Sequence, residues 1–300
     1  MRYTCILLVI YANLAFGQNA PLSQRESCAR FSDSVVSIDA GGQSQGSGFI
    51  VSADGLILTA NHVIRDEATG GFYSFIAVSF SDGRIEPATP ITPLSLDNIG
   101  QDYALLKINT TKKLPFLMLG STDEVETGSE ATIIDFPFSA IAANQTHIST
   151  RFCLSASFAA SESITVPETG KLSKRQAHGL QSSTPINKTV KVDIVYFQGP
   201  SIKGISGSPI ISRETGHVVG IVSTRLTGIG PSLMELKNET ARGLGSGVII
   251  SGLAPGEAIN QILTVLDQQL ANGLGSAVGI DDPKEALKQV QRQKNINAPH

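Results

Sequence analysis

Tryptophan is absent from the 300-residue sequence, and cysteine and methionine occur three times each. With no Trp and only 6% aromatic residues, the chain lacks a stacking platform for single-stranded nucleic acid. The formal net charge of −3 and the absence of a long basic stripe argue against any polyanion as partner. Beyond the N-terminal stretch no apolar run approaches the ~20 residues that a membrane-spanning helix needs. The few cysteines and scattered histidines show no zinc-ligand spacing, and no cofactor is implied. There is also no internal repeat of the kind that builds solenoids or propellers.

What the chain does have is 29 glycines, 14 prolines and many short runs of β-branched residues, within 41% hydrophobic and 16% charged composition. That favours short strands joined by turns, an all-β architecture large enough to form one unit or two small ones. The first residues read as an export signal over 1–17. Met1-Arg2 is a basic start, Cys5 to Val9 an apolar run, and Ala15-Phe16-Gly17 a small-residue cleavage site. Cys5 leaves with that segment. Cys28 and Cys153 then remain as a possible disulfide, whose formation depends on a proximity that sequence does not show.

In order along the chain, residues 18–33 form a polar N-terminal segment with a short helix near Glu26–Phe31. Strand patterns recur from Ser34, with a tight turn at Gln43–Gly48 and a hairpin around Ala53-Asp54-Gly55. A proline-rich connection carries Pro87, Pro90 and Pro93, and a buried strand follows Asp102. A linker near 110–125 separates two β halves. The stretch 138–190 reads in part as a long surface loop, Gly247–Ile250 as the last strand, 253–272 as a C-terminal helix and 273–300 as a polar tail.

Lys203-Gly204-Ile205-Ser206-Gly207-Ser208-Pro209 places a serine between glycines. Alone it fits a Gly/Ser surface loop. A serine hydroxyl attacks only when a base takes its proton and amide N–H groups hold the oxyanion, so His62 and Asp102 are the residues to set beside it. Each lies where a strand ends or a turn begins. The stretches Gly46-Ser-Gly-Phe-Ile-Val, Asp54-Gly-Leu-Ile-Leu-Thr-Ala-Asn-His62, Asp102-Tyr-Ala-Leu-Leu-Lys, Gly204-Ile-Ser-Gly-Ser-Pro209 and Gly220-Ile-Val-Ser223 occur in that order. With them the chain resembles chymotrypsin-fold serine proteases, in particular the bacterial trypsin-like group that includes the HtrA/Deg enzymes. The resemblance covers about residues 30–270 and implies two six-stranded antiparallel β-barrels, here assigned to 34–252, with a C-terminal α-helix.

It also implies roles: Ser206 as nucleophile, His62 as general base and acid, Asp102 as orienting carboxylate, and the N–H groups of Gly204 and Ser206 as oxyanion hole. Pro200 and Ser223 fall at the substrate pocket. Digestive proteases of this fold have an aspartate just before the serine, which captures a new N-terminus. Ile205 stands there, so that switch is absent. The family's usual Gly-Gly-Pro is Gly207-Ser208-Pro209 here. Too few residues follow the last strand for a PDZ module. No acid lies between Gln198 and Ile205, which favours small or medium apolar side chains before the cleaved bond; a glutamate preference would need His178 or His217 at the pocket. The expected partners are polypeptides, outside the cytoplasm in a periplasm or beyond, with an oligomer possible. The alternative is a latent or inactive module of the same fold that acts by binding protein.

Overall fold

The computed structural model describes residues 20–66, 69–91, 102–136, 151–167, 189–200, 204–223 and 275–296. Two closed antiparallel barrels of six strands account for most of them. The first contains β1 (Val35–Ala40), β2 (Ser44–Ile50), β3 (Leu56–Thr59), β6 (Ile76–Ser79), β7 (Ile85–Pro90) and β8 (Ala104–Ile108). The second contains β9 (Glu130–Asp135), β10 (Phe152–Pro167), β11 (Thr189–Gln198), β12 (Pro209–Ser212), β13 (Val218–Val222) and β14 (Gly275–Gly279). The small pair β4 (Arg65–Asp66) and β5 (Gly71–Phe72) lies between β3 and β6 in the chain.

Alternation along each strand builds three cores from one sequence pattern, because successive side chains point to opposite faces. On β1, Val36, Ile38 and Ala40 fill the first barrel with Ile50, Ile57 and Leu106. Val35, Phe49 and Leu58 point outward and meet Ile134, Ile211 and Ile221 from the second barrel. Ala131 and Ile133 point into the second barrel, with Phe158, Phe197 and Ile205. The shared middle core holds the two barrels face to face. Each large side chain buried there contributes roughly 1.5–3 kcal/mol.

Helix α1 (Gln24–Phe31) opens with a reciprocal cap. The Ser23 N–H donates to Glu26 Oε2 at 2.9 Å, and the Glu26 N–H donates to Ser23 Oγ at 3.2 Å. The helix is strapped to the second barrel. Cys28 and Cys153 are disulfide-bonded across 125 residues of sequence, and the Thr132 hydroxyl donates to Gln24 Oε1.

Four sequence expectations are corrected. Gln43–Gly48 is no tight turn: the reversal is at Gly41-Gly42, and Ser44 onward is strand β2. Pro87 and Pro90 belong to strand β7, whose side chains are alternately exposed and half-buried, a setting that tolerates residues without an N–H. Within 138–190, residues 152–167 form a 16-residue strand. Its Ser- and Ala-rich composition hid it, because the apolar period is weak there. The polar-tail reading of 273–300 fails over its first part, while the short helix expected within 280–300 is present. Gly275–Gly279 pairs with both β11 and β13 and closes the second barrel, and Asp281–Ile296 forms helix α3. Asp281 accepts from the Thr122 N–H and hydroxyl, and Lys284 Nζ donates to the Gly120 carbonyl, so this helix docks on the segment that joins the barrels. The expected signal segment, the Gly247–Ile250 strand and the 253–272 helix lie outside the described residues.

Candidate active site

His62 sits on α2 (Asn61–Ile64), a single turn that begins directly after β3. Asp102 stands two residues before β8, the neighbour of β3 in the barrel. Pairing of Thr59 with Ala104 therefore brings the two side chains to one barrel end. The Asp102 carboxylate receives three donors. The His62 N–H reaches Oδ1 at 2.9 Å, His62 Nδ1 lies 2.6 Å from Oδ2, and Ser223 Oγ donates to Oδ2 at 2.5 Å. Burial pushes the Asp102 pKa up, but the bonds and charge of His62, with the Ser223 hydroxyl, outweigh it and hold it below the usual carboxylate range. An ionised Asp102 makes Nδ1 the donor, which leaves the Nε2 lone pair to take a proton.

Ser206 is buried on the turn between residue 204 and β12, in the second barrel. Gly204 and Gly207 have φ of +99° and +87°, in the left-handed region where a side chain is strained. At Gly207 a Cβ would also lie 2.0 Å from the Ser47 carbonyl oxygen and 3.0 Å from the Ala60 nitrogen. The turn thus abuts the backbone that leads into His62. A Cβ on Gly46 would meet both Val63, the residue after His62, and the Ser206 carbonyl oxygen.

Ser47 makes this junction. Its N–H donates to the Ser206 carbonyl at 2.8 Å and its Oγ donates to the Gly204 carbonyl at 3.2 Å. The same Oγ accepts the Phe136 N–H at 2.9 Å, and its carbonyl accepts the Thr59 hydroxyl at 2.7 Å. One buried residue of the first barrel therefore fixes both ends of the serine turn and the end of β9. Sequence reading quoted Ser47 inside a motif but gave it no role. A strand serine between two glycines was the available signal.

The remaining candidates divide. The Ser223 hydroxyl is bound to Asp102, and its N–H and carbonyl both pair with Ser276 of β14. Pro200 is exposed just past the end of β11. His217 Nδ1 is 3.1 Å from Glu124 Oε2, at the turn between β12 and β13, while His178 lies outside the described residues. No group of three or more metal-ligating side chains occurs among the described residues.

The pattern of the trypsin-like peptidase domain matches residues 46–221, well over half of the chain. The chain belongs to the trypsin-like peptidases. Human serine protease HTRA4 is 30% identical over 183 residues, which is 61% of this chain and 30% of that protein. Serine protease HTRA1 of Xenopus laevis is 32% identical over 186 residues, 61% of this chain and 32% of that protein. A probable periplasmic serine endoprotease, DegP-like, of Ectopseudomonas mendocina is 29% identical over 249 residues, 82% of this chain and 43% of that protein. This trypsin-like peptidase thus spans 30–43% of the length of these relatives. Among solved structures, the inactive form of the Rv3671c protease aligns with a TM-score of 0.45 and 20% identity, over 65% of this chain and 79% of that one.

Proposed function

We propose that the chain is a serine endopeptidase that cleaves polypeptides through Ser206, His62 and Asp102. The observation that carries this reading is the triply bonded Asp102 carboxylate, which orients His62 beside the backbone that the Ser206 turn abuts. Such a pair has one use that a structural histidine lacks: with Nδ1 held by the carboxylate, Nε2 is left to accept the proton of a hydroxyl.

In the proposed reaction Ser206 Oγ bonds to the scissile carbonyl carbon while its proton passes to His62 Nε2. The carbonyl oxygen becomes an oxyanion, held by the N–H groups of Gly204 and Ser206. The engagement of the Gly204 carbonyl by Ser47 turns that carbonyl toward the first barrel and fits this assignment. Collapse breaks the C–N bond, and the amine leaves with the proton from His62. Water then attacks the acyl-enzyme through the same base, which restores Ser206 and releases the acid. Asp102 stays ionised throughout and stabilises the charged imidazole.

An apolar residue of small or medium size before the cleaved bond is the expected preference, because no acid lies between Gln198 and Ile205. Cleavage-site profiling on a peptide library checks it, and a dominant Lys or Arg preference overturns it. Export to a periplasm or beyond suits the Cys28–Cys153 disulfide and the N-terminal sequence. No helix among the described residues is long and apolar enough to cross a membrane.

Reaction of the full chain with a fluorophosphonate tests the nucleophile. Labelling of the native chain and none of Ser206→Ala is expected. Labelling that persists in Ser206→Ala refutes the assignment.

A further inference from the structure

Beneath the serine turn lies a second carboxylate that the proposed reaction does not use. Asp135 ends β9 and has no exposed surface, and no other residue donates a hydrogen bond to either of its side-chain oxygens. Ser208, two residues after the nucleophile, is equally buried and its Oγ is also unpartnered. β12 and β9 are antiparallel and their ladder ends with Ile210 opposite Ile133; extending that register two residues past its last pair brings Ser208 across from Asp135. The backbone at Ser208 is still in strand pairing with β13, since the Val222 N–H donates to its carbonyl at 2.9 Å.

Both side chains therefore point the way Ile133, Ile210 and Val222 do, into the core of the second barrel, where Ile205 also packs. Across β10 the register partner of Asp135 is Phe152, and the core on the inward face of β9 is apolar, with Ile205, Ile210 and Val222. No described charged side chain acts on Asp135. From the pair a short relay leads to the oxyanion side of the turn. The residue after Asp135 donates its N–H to Ser47 Oγ, and that hydroxyl donates to the Gly204 carbonyl.

We propose that Asp135 and Ser208 share one proton under the nucleophile turn, and that Asp135 is a positioning residue whose neutral form holds Ser206 and Gly204 in working register. As a carboxylic acid, Asp135 offers one donor and one acceptor, and a rotation of either side chain lets it pair fully with the Ser208 hydroxyl. When the proton leaves to solvent, two acceptor oxygens face a single O–H, and an uncompensated charge remains in an apolar core. That charge is relieved only by opening the space beneath the turn, and it also opposes an oxyanion forming above it. Burial, outweighing the opposing pull of Asp135's own backbone N–H, pushes the Asp135 pKa up to about 7, so the change falls in the working range of such a site.

The proposal rests on Ser206 being the nucleophile, and its test separates the two. Fluorophosphonate labelling rates of the full chain are measured against pH for the native protein, Asp135→Asn and Ser208→Ala. Taking the ratio of Asp135→Asn to native cancels the pH effects that both proteins share. The ratio is expected to climb by roughly fivefold or more between about pH 5.5 and about pH 9, since Asn cannot ionise. A flat ratio overturns the proposal while leaving the nucleophile intact.

Ser208→Ala removes the donor that the ionised form keeps, so its fall in labelling shifts to higher pH than in the native chain; an unshifted fall overturns the pairing. Thermal unfolding of the same proteins needs no activity. The folded pKa of Asp135 lies above its unfolded value, so its contribution is complete below about pH 4 and is lost as pH rises through about 7. The Tm of Asp135→Asn relative to native should therefore rise across that window, and a constant difference refutes a proton held there even if no variant is labelled.

Discussion

Asp102 and Asp135 are the same residue type, both buried, one in each half of the molecule, and their surroundings drive them in opposite directions. On the first side the carboxylate has three donors, and its pKa lies below the ordinary range. On the second it has none, and burial pushes the pKa up to about 7. Burial penalises charge in both places, so the number of donors decides the outcome. The contrast extends to the elements around them. His62 and Asp102 are bonded to each other just beyond the ends of adjacent, regular strands of one barrel, whereas the Ser206 turn depends on glycine conformations and on Ser47 reaching across from the other barrel. The first half supplies a bonded His–Asp pair; the second supplies a serine turn held by two glycines and by Ser47.

The strongest way to break this contrast is Asp102→Asn. It keeps the shape but gives His62 Nδ1 the wrong partner, so kcat should fall on the order of 10⁴-fold with KM little moved. Steady-state kinetics on a peptide substrate checks it, and a loss under tenfold would mean the carboxylate is only structural. Next comes the strap on the second half. Replacing Cys28 and Cys153 together by Ser releases a loop of 125 residues and should cost about 2–4 kcal/mol, read by denaturant unfolding under non-reducing conditions. Addition of reductant should weaken the native chain to a similar degree and leave the double variant unaffected.

Ser47→Ala probes the bridge between the halves. It leaves the Phe136 N–H and the Gly204 carbonyl without their partner, at a cost of roughly 1–3 kcal/mol in stability. The labelling rate of Ser206 should drop more than that of a variant with equal stability loss elsewhere in the core; equal drops would reduce Ser47 to packing. The smallest effect is expected of Ser223→Ala. One of three donors to Asp102 disappears, the carboxylate pKa rises toward its ordinary value, and kcat falls about tenfold, as one charge-assisted bond of ~1.4 kcal/mol implies. Two donors remain, so the acid–base pair should persist, and a collapse to the Asp102→Asn level would show that Ser223 is needed for the pair itself.

Much of the first half was legible in the chain because its determinants are local. The Asp54-Gly55 hairpin, the strand before His62 and the apolar run after Asp102 each announce themselves within a few residues, and their adjacency follows from pairing neighbouring strands. The second half was harder. β10 is 16 residues of mostly small and polar side chains, and β14 is Gly-Ser-Ala-Val-Gly, short and without a strong apolar run. Ser223 was placed at a pocket because its position in the motif suggested it; its hydroxyl instead completes the Asp102 set, 121 residues away in sequence.

By itself, then, the sequence determined the order His62, Asp102, Ser206, the β class, and the glycines that let the chain bend around a serine, since each depends on residue type and short spacing. Tertiary structure alone decided which cysteines meet, that Ser47 clamps the turn, that Gly275–Gly279 closes the second barrel, and that Asp135 is buried with no donor from another residue. Those facts come from strand register and burial. A side chain's electrostatic state depends on what long-range pairing places against it, and no local pattern records that.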